Sequence, residues 1–237
     1  MKISFFSVLL FAVVSSAVVT AGCNQEAAGP VIHESQSVPK DAATAMRADI
    51  HMNAGTLKLA GGSSGWLDAN FDYNIPQWKP TITYNAVGAS GDLRVEQPGG
   101  NQNRSNTRNE WDLRLNDDIP TDVTTELGAG DANLNLGTVT LRSLSIEIGA
   151  GTLNLDLRGH PKRSYEVRIR GGAGDATVRL PADVGLYVEA GGGIGDVSVK
   201  GLRHEGDHWL NDAYATAPVQ VHANIKGGVG GITVIAE

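Results

Sequence analysis

From about residue 46 to the C-terminus, apolar and polar residues alternate with a period of two. Leu144-Ser145-Ile146-Glu147-Ile148, Leu153-Asn154-Leu155-Asp156-Leu157 and Tyr165-Glu166-Val167-Arg168-Ile169 show the pattern. So do Leu186-Tyr187-Val188-Glu189-Ala190 and Val219-Gln220-Val221-His222-Ala223. Each places apolar side chains on one face and polar ones on the other, as a strand buried on one side requires. No window of eleven or more residues holds a helical period. The body is predicted to be all-β.

A glycine motif recurs between the alternating runs. It reads Gly128-Ala129-Gly130-Asp131, Gly149-Ala150-Gly151-Thr152, Gly171-Gly172-Ala173-Gly174-Asp175 and Gly193-Ile194-Gly195-Asp196. The last glycines, Gly130, Gly151, Gly174 and Gly195, lie 21, 23 and 21 residues apart. Weaker copies occur at Asn53-Ala54-Gly55-Thr56, Ala89-Ser90-Gly91-Asp92 and Gly227-Gly228-Val229-Gly230. A fixed period of this length marks a repeat whose units bury their apolar faces only by stacking. The unit reads as strand, glycine turn, strand, loop, with Asp131, Asp175 and Asp196 capping the turns through nearby backbone N–H groups. A parallel β-solenoid is the expected architecture, and an antiparallel β-sandwich is the alternative. Residues 96–110 and 201–218 break the repeat, the first as a polar loop and the second as an insertion.

The N-terminus differs from the body. Lys2 precedes a run from Ile3 to Val19 broken only by serines, followed by Thr20-Ala21-Gly22 and the only cysteine, Cys23. A charged start, a short apolar core and a small-residue end make residues 1–22 a secretory signal rather than a membrane span. Thr20-Ala21-Gly22-Cys23 resembles the bacterial lipobox, which implies lipidation (diacylglyceryl, with palmitate-type chains) at Cys23. The partner is then a membrane, reached through the anchor. By the same resemblance, Asn24 favours the outer membrane in a Gram-negative cell. Residues 23–45 are polar, contain Pro30 and Pro39, and read as a flexible tether. The folded body is expected at 46–237, with a capping part at 46–97 and the glycine repeats at 111–237.

Composition narrows the function. A net charge of −7 excludes a basic footprint for nucleic acid. One cysteine excludes an internal disulfide or a multi-cysteine metal site.

Residues 49–97 contain Asn53-Ala54-Gly55-Thr56-Leu57, Phe71-Asp72-Tyr73-Asn74-Ile75-Pro76, Trp78-Lys79-Pro80 and Tyr84. Together with the later glycine motifs, Asn211-Asp212-Ala213-Tyr214 and the terminal Gly227–Ile232 segment, they resemble the bacterial toastrack domain family. The resemblance implies a β-solenoid-like fold in a cell-envelope protein. Relatives are linked to envelope stress, to cell-wall-active antibiotics and to adhesion. It supplies no catalytic residue.

Candidate chemistry is sparse. His204-Glu205-Gly206-Asp207-His208 has the zinc-protease order H-E-x-x-H, but that chemistry needs a helix and a third ligand. Gly206 and the flanking strands predict a solvent loop instead. The GAGD motifs are similar to calcium nonapeptides, yet their Asp stands one place early and their period is wrong. Glu147, Asp156 and Glu189 could line a carbohydrate-cleaving groove, though outward charges on strands are ordinarily a solvated face. Trp66, Phe71, Tyr73, Trp78 and Tyr84 concentrate near the N-terminal end, either as a plug for the solenoid or as a platform for a partner or glycan. The expected function is a non-enzymatic envelope lipoprotein, without cofactor, that scaffolds or senses by contact with an envelope protein. An adhesin or glycan-binding module is the alternative, and a polysaccharide-active enzyme the third reading.

Overall fold

The computed structural model describes residues 28–99 and 106–237. Residues 1–22, expected to be a secretory signal, and Cys23 lie outside the described residues. Near the N-terminus run β1 (Ile32–Val38), β2 (Ala45–Ala60), β3 (Leu67–Tyr73), β4 (Thr81–Val87), β5 (Ser90–Glu96) and β6 (Asn109–Leu115). The repeats form β7 (Thr121–Asn135), β8 (Leu141–Asp156), β9 (Tyr165–Ala173), β10 (Ala176–Leu180), β11 (Gly185–Ile194) and β12 (Val197–Lys200). After them come β13 (Arg203–Glu205), β14 (His208–Leu210), β15 (Gln220–Val229) and β16 (Ile232–Ala236).

The glycine motif is a corner, not a turn. Strands β2, β7 and β8 run unbroken through it. The inward side chains change parity there. Leu144, Ile146 and Ile148 are buried before the corner, and Leu153, Leu155 and Leu157 after it. Gly151, at φ +132°, makes that switch in a region that L side chains rarely adopt. Both arms of the bent strand thereby face one core. Asp131 accordingly lies within β7, paired with Thr56 and Thr152, and caps no turn. The Asp175 carboxylate instead accepts the Gly231 N–H, just before β16, at 2.8 Å.

Bent strands stack in register, Gly55 on Gly130 and Gly130 on Gly151. The arms before the corner make one layer, ordered β4-β5-β2-β7-β8-β9-β15-β11-β14-β13. The arms after it make a second, ordered β1-β3-β6-β2-β7-β8-β10-β16-β12. Every pairing from β5 and β6 to β11 and β12 is parallel, and antiparallel strands occur only at the ends. That excludes the sandwich alternative and establishes the coil.

The stack is not sequential, as a plain repeat predicts. The chain's last bent segment, β15 and β16, inserts between β9/β10 and β11/β12. The insertion at 201–218 makes this possible. It carries the β13–β14 hairpin and a 3-10 turn at Asp212–Ala215, and returns the chain past β11 to pair beside β9.

The N-terminal end is closed by side chains. Trp66, Phe71, Tyr73 and Trp78 are buried, and Phe71 meets Trp111 edge-to-face at 5.4 Å. These four aromatics plug the coil, and burial removes them as a binding platform. Tyr84 is half-buried. Its hydroxyl donates to Asp41 at 2.8 Å, and the Trp66 indole N–H donates to the same carboxylate at 3.1 Å. Burial and that carboxylate raise the Tyr84 pKa to about 12.

β5, on the first layer, ends at Glu96, and β6, on the second, begins at Asn109. Gln97 Oε1 accepts from the backbone N–H of Asn53 (2.9 Å) and Ala54 (3.2 Å), and from Asn109 Nδ2 (3.0 Å). Asn109 also donates to Ala54 O at 2.7 Å and accepts from the Trp111 indole at 3.0 Å. Two buried amides thus take the place of the missing backbone neighbour.

Strand structure begins at Ile32, inside the 23–45 segment expected to be a flexible tether. β1 pairs antiparallel with β3 from Ile32–Tyr73 to Val38–Leu67. Its polar sequence hides a strand because cross-strand polar pairs hold it. Across β1 and β3, His33 meets Asp72 at 2.6 Å and Ser35 donates to Asn70 at 2.7 Å, and Lys79 from beyond β3 pairs with Glu34 at 2.9 Å.

Candidate functional site

Alternation along β15 and β11 buries Val221, Ala223, Leu186 and Val188. It therefore turns His222, Asn224, Tyr187 and Glu189 outward on the first layer. In-register pairing sets Tyr187 beside His222 and Glu189 beside Asn224. On the next strand, Glu166 and Arg168 continue the two rows. The result is a groove walled by Glu166, Arg168, Arg170, Tyr187, Glu189, His222, Asn224 and Lys226.

Rings gather at its far wall. His208, carried by β14, stacks on Tyr187 with centroids 4.7 Å apart. His222 and Tyr214 lie 5.3 and 5.8 Å from the same ring. Tyr214 Oη and His222 Nε2 are 3.4 Å apart. Tyr187 Oη donates to Glu189 Oε1 at 3.2 Å, and Asn224 Nδ2 donates to Glu189 Oε2. Desolvation first, then the Glu189 carboxylate, push the Tyr187 pKa up. Arg170 pairs with Glu147 at 3.1 Å, and Arg168 pairs with Glu166. Rings, an amide, a carboxylate and guanidinium groups on a rigid sheet suit a polar ligand with apolar faces.

The other sequence candidates do not converge. The H-E-x-x-H residues form a hairpin rather than a loop, with His204 opposite Trp209 and Glu205 opposite His208. His204 and His208 therefore project from opposite faces, the His204 and Trp209 rings lying tilted with centroids 4.7 Å apart. Asp131, Asp175 and Asp196 share a row but alternate with Thr152 and Gly231. Next-but-one strands are ~10 Å apart, too far for carboxylates to share a calcium ion. Asp156 stands on the second layer, away from Glu147 and Glu189. No sequence signal groups Tyr187, Tyr214 and His222 as a cluster. Only the out-of-order insertion of β15 beside β11 brings them together.

Among the described residues no helix is long and apolar enough to cross a membrane. Residues 27–179 match the family model described as the N-terminal domain of toast_rack, DUF2154. A crystal structure of a candidate cell adhesion protein from Clostridium sporogenes is 32% identical, covers 88% of this chain and 100% of its own, and superposes with a TM-score of 0.85. A candidate adhesin from Bacteroides fragilis aligns over 86% of this chain and 97% of its own at 12% identity and a TM-score of 0.29. One from Parabacteroides distasonis aligns over 88% and 98% at 10% identity and 0.25. At those scores the last two share too little geometry to bear on this chain. No curated protein matches it.

Proposed function

The chain belongs to the toast-rack family, and from that premise we propose that it is an extracytoplasmic, adhesin-like binding module. It binds carbohydrate in the Tyr187–His222 groove, without turnover, and is held to a membrane by a lipid on Cys23. The observation that carries this reading is the ring cluster around Tyr187, flanked by the Glu189–Asn224 pair. Sugar rings offer apolar faces to aromatic side chains and hydroxyls to carboxylates and amides. The likeness to the Clostridium sporogenes structure supports adhesion and a location outside the cytoplasm. The scaffold or sensor role draws support from the family resemblance alone.

The test is retention on a panel of cell-surface polysaccharides and peptidoglycan fragments. Wild-type protein is expected to bind, and Tyr187→Ala to lose about tenfold in affinity, the equivalent of about 1.4 kcal/mol of ring contact. Retention unchanged by Tyr187→Ala, or release of cleaved sugar, would contradict the proposal. Anchoring is tested separately. Cys23→Ala is expected to move the protein from the membrane fraction to the soluble one, and a membrane-bound variant would exclude lipidation as the anchor.

A further inference from the structure

The two ends of the coil are finished differently. At the N-terminal end, antiparallel strands cover both layers, β4 on the first and β3 with β1 on the second. At the other end, the β13–β14 hairpin covers β11 only at Tyr187 and Val188. On the second layer β12 pairs with β16, and among the described residues no strand pairs with it on the other side. Three of the five large exposed apolar side chains among the described residues stand at this end: Ile194 (71% exposed), Val229 (53%) and Val197 (37%).

The free edge has a defined hydrogen-bonding pattern. The Ile232 N–H donates to Asp196 O at 2.9 Å. In a parallel ladder, alternate residues bond to one neighbour, so Asp196, Ser198 and Lys200 direct their backbone groups toward β16. Val197 and Val199 then direct theirs outward. Such an edge is a template for another strand unless something blocks it.

We propose that β12 pairs antiparallel with β12 of a second copy of this chain about a two-fold axis at Ser198. The register follows from the free groups. Val197 faces Val199 of the second copy, and the two exchange both backbone hydrogen bonds, as do Val199 and Val197 of the second copy. The same register sets Asp196 against Lys200 of the second copy, and Lys200 against Asp196 of the second copy. Both side chains are exposed and project from the outer face of the layer. Charge complementarity thus selects a copy of the same strand. Shifting the two-fold axis to Val197 or Val199 would lose two of the four hydrogen bonds and both ion pairs. The interface is isologous and closes at two subunits. It extends the second layer across both molecules and places Ile194 beside the Gly201–Leu202 bend of the second copy.

The experiment uses the full chain in its own envelope. Facing residues in a pair that exchanges no hydrogen bonds have Cα atoms ~4.5 Å apart, within disulfide reach. Ser198→Cys is exposed and is expected to give an oxidant-dependent species of twice the monomer mass. Wild type, which keeps Cys23, and Thr233→Cys, one strand inward, are expected to give none. Asp196→Lys in the Ser198→Cys background sets Lys against Lys and is expected to cut crosslinking at least fivefold. Adding Lys200→Asp is expected to restore it. Absence of the double-mass species, a crosslink to a different protein, or failure of the double charge swap to restore crosslinking would each overturn the proposal.

Discussion

Replacing Gly151 by alanine tests the corner most sharply, because two costs coincide there. The residue sits at φ +132°, and a Cβ would lie 1.8 Å from Gly130 O and 2.7 Å from its carbonyl carbon. Backbone atoms cannot swing aside as a flexible side chain can. To accommodate the methyl group, β7 and β8 must part by more than ~1 Å at the corner, stretching ladder hydrogen bonds worth about 1 kcal/mol each. The positive φ adds roughly 1–3 kcal/mol. The sum is about 3–5 kcal/mol, or a fall in Tm of about 6–20 °C for a chain of this length. Three further variants separate the causes. Gly191→Ala meets nothing within 4 Å and has no positive φ, Gly62→Ala has only φ +97°, and Gly149→Ala has only a contact at 2.4 Å with Gly128 O. Thermal melts followed by circular dichroism are expected to rank Gly191→Ala as nearly neutral, Gly62→Ala and Gly149→Ala as intermediate, and Gly151→Ala as worst. A Gly151→Ala protein that melts with Gly191→Ala would refute the stacked-corner account.

Two other predictions concern polar contacts. Asn109→Ala leaves the Trp111 indole without its acceptor and removes one hydrogen bond each from Ala54 O and Gln97 Oε1, and chemical denaturation is expected to show a loss of about 3 kcal/mol. The Arg142 guanidinium, helped by the Ser143 hydroxyl, holds the Asp122 carboxyl below its usual range. The stability this pair adds is complete above the unfolded value of about 3.9 and fades as pH falls through the lower folded value. Arg142 is largely exposed, so the gain is under about 1 kcal/mol. Asp122→Asn is therefore expected to lower Tm slightly at pH 7 and to match wild type near pH 2. An equal deficit at both would contradict the assignment.

Alternation showed the strands and their buried faces, and glycine spacing placed the repeat. The shape of the glycine motif was harder to read, since Gly followed by Asp is ordinary turn chemistry. The clue lay in parity: Ile148 and Leu153 are both inward yet five apart, which no straight strand produces. β1 escaped notice because its stabilisation comes from His33–Asp72 and Ser35–Asn70 rather than from an apolar face. Nothing local signals that β15 inserts before β11. The groove depends on that crossing, so Tyr187 and His222 appeared only as separate outward residues of separate strands. His208 drew attention within a zinc-like string, whereas its contact is with Tyr187.

Where a bound carbohydrate touches the molecule tests the functional claim most directly. NMR shift mapping of isotope-labelled protein, titrated with the sugar that wild type retains best, reports this residue by residue. The account predicts the largest changes at Tyr187, Glu189, His208, Tyr214, His222 and Asn224, with the second layer and the N-terminal plug unmoved. Changes centred on the second layer or around Trp66 and Tyr84, or none with any sugar on the panel, would contradict it.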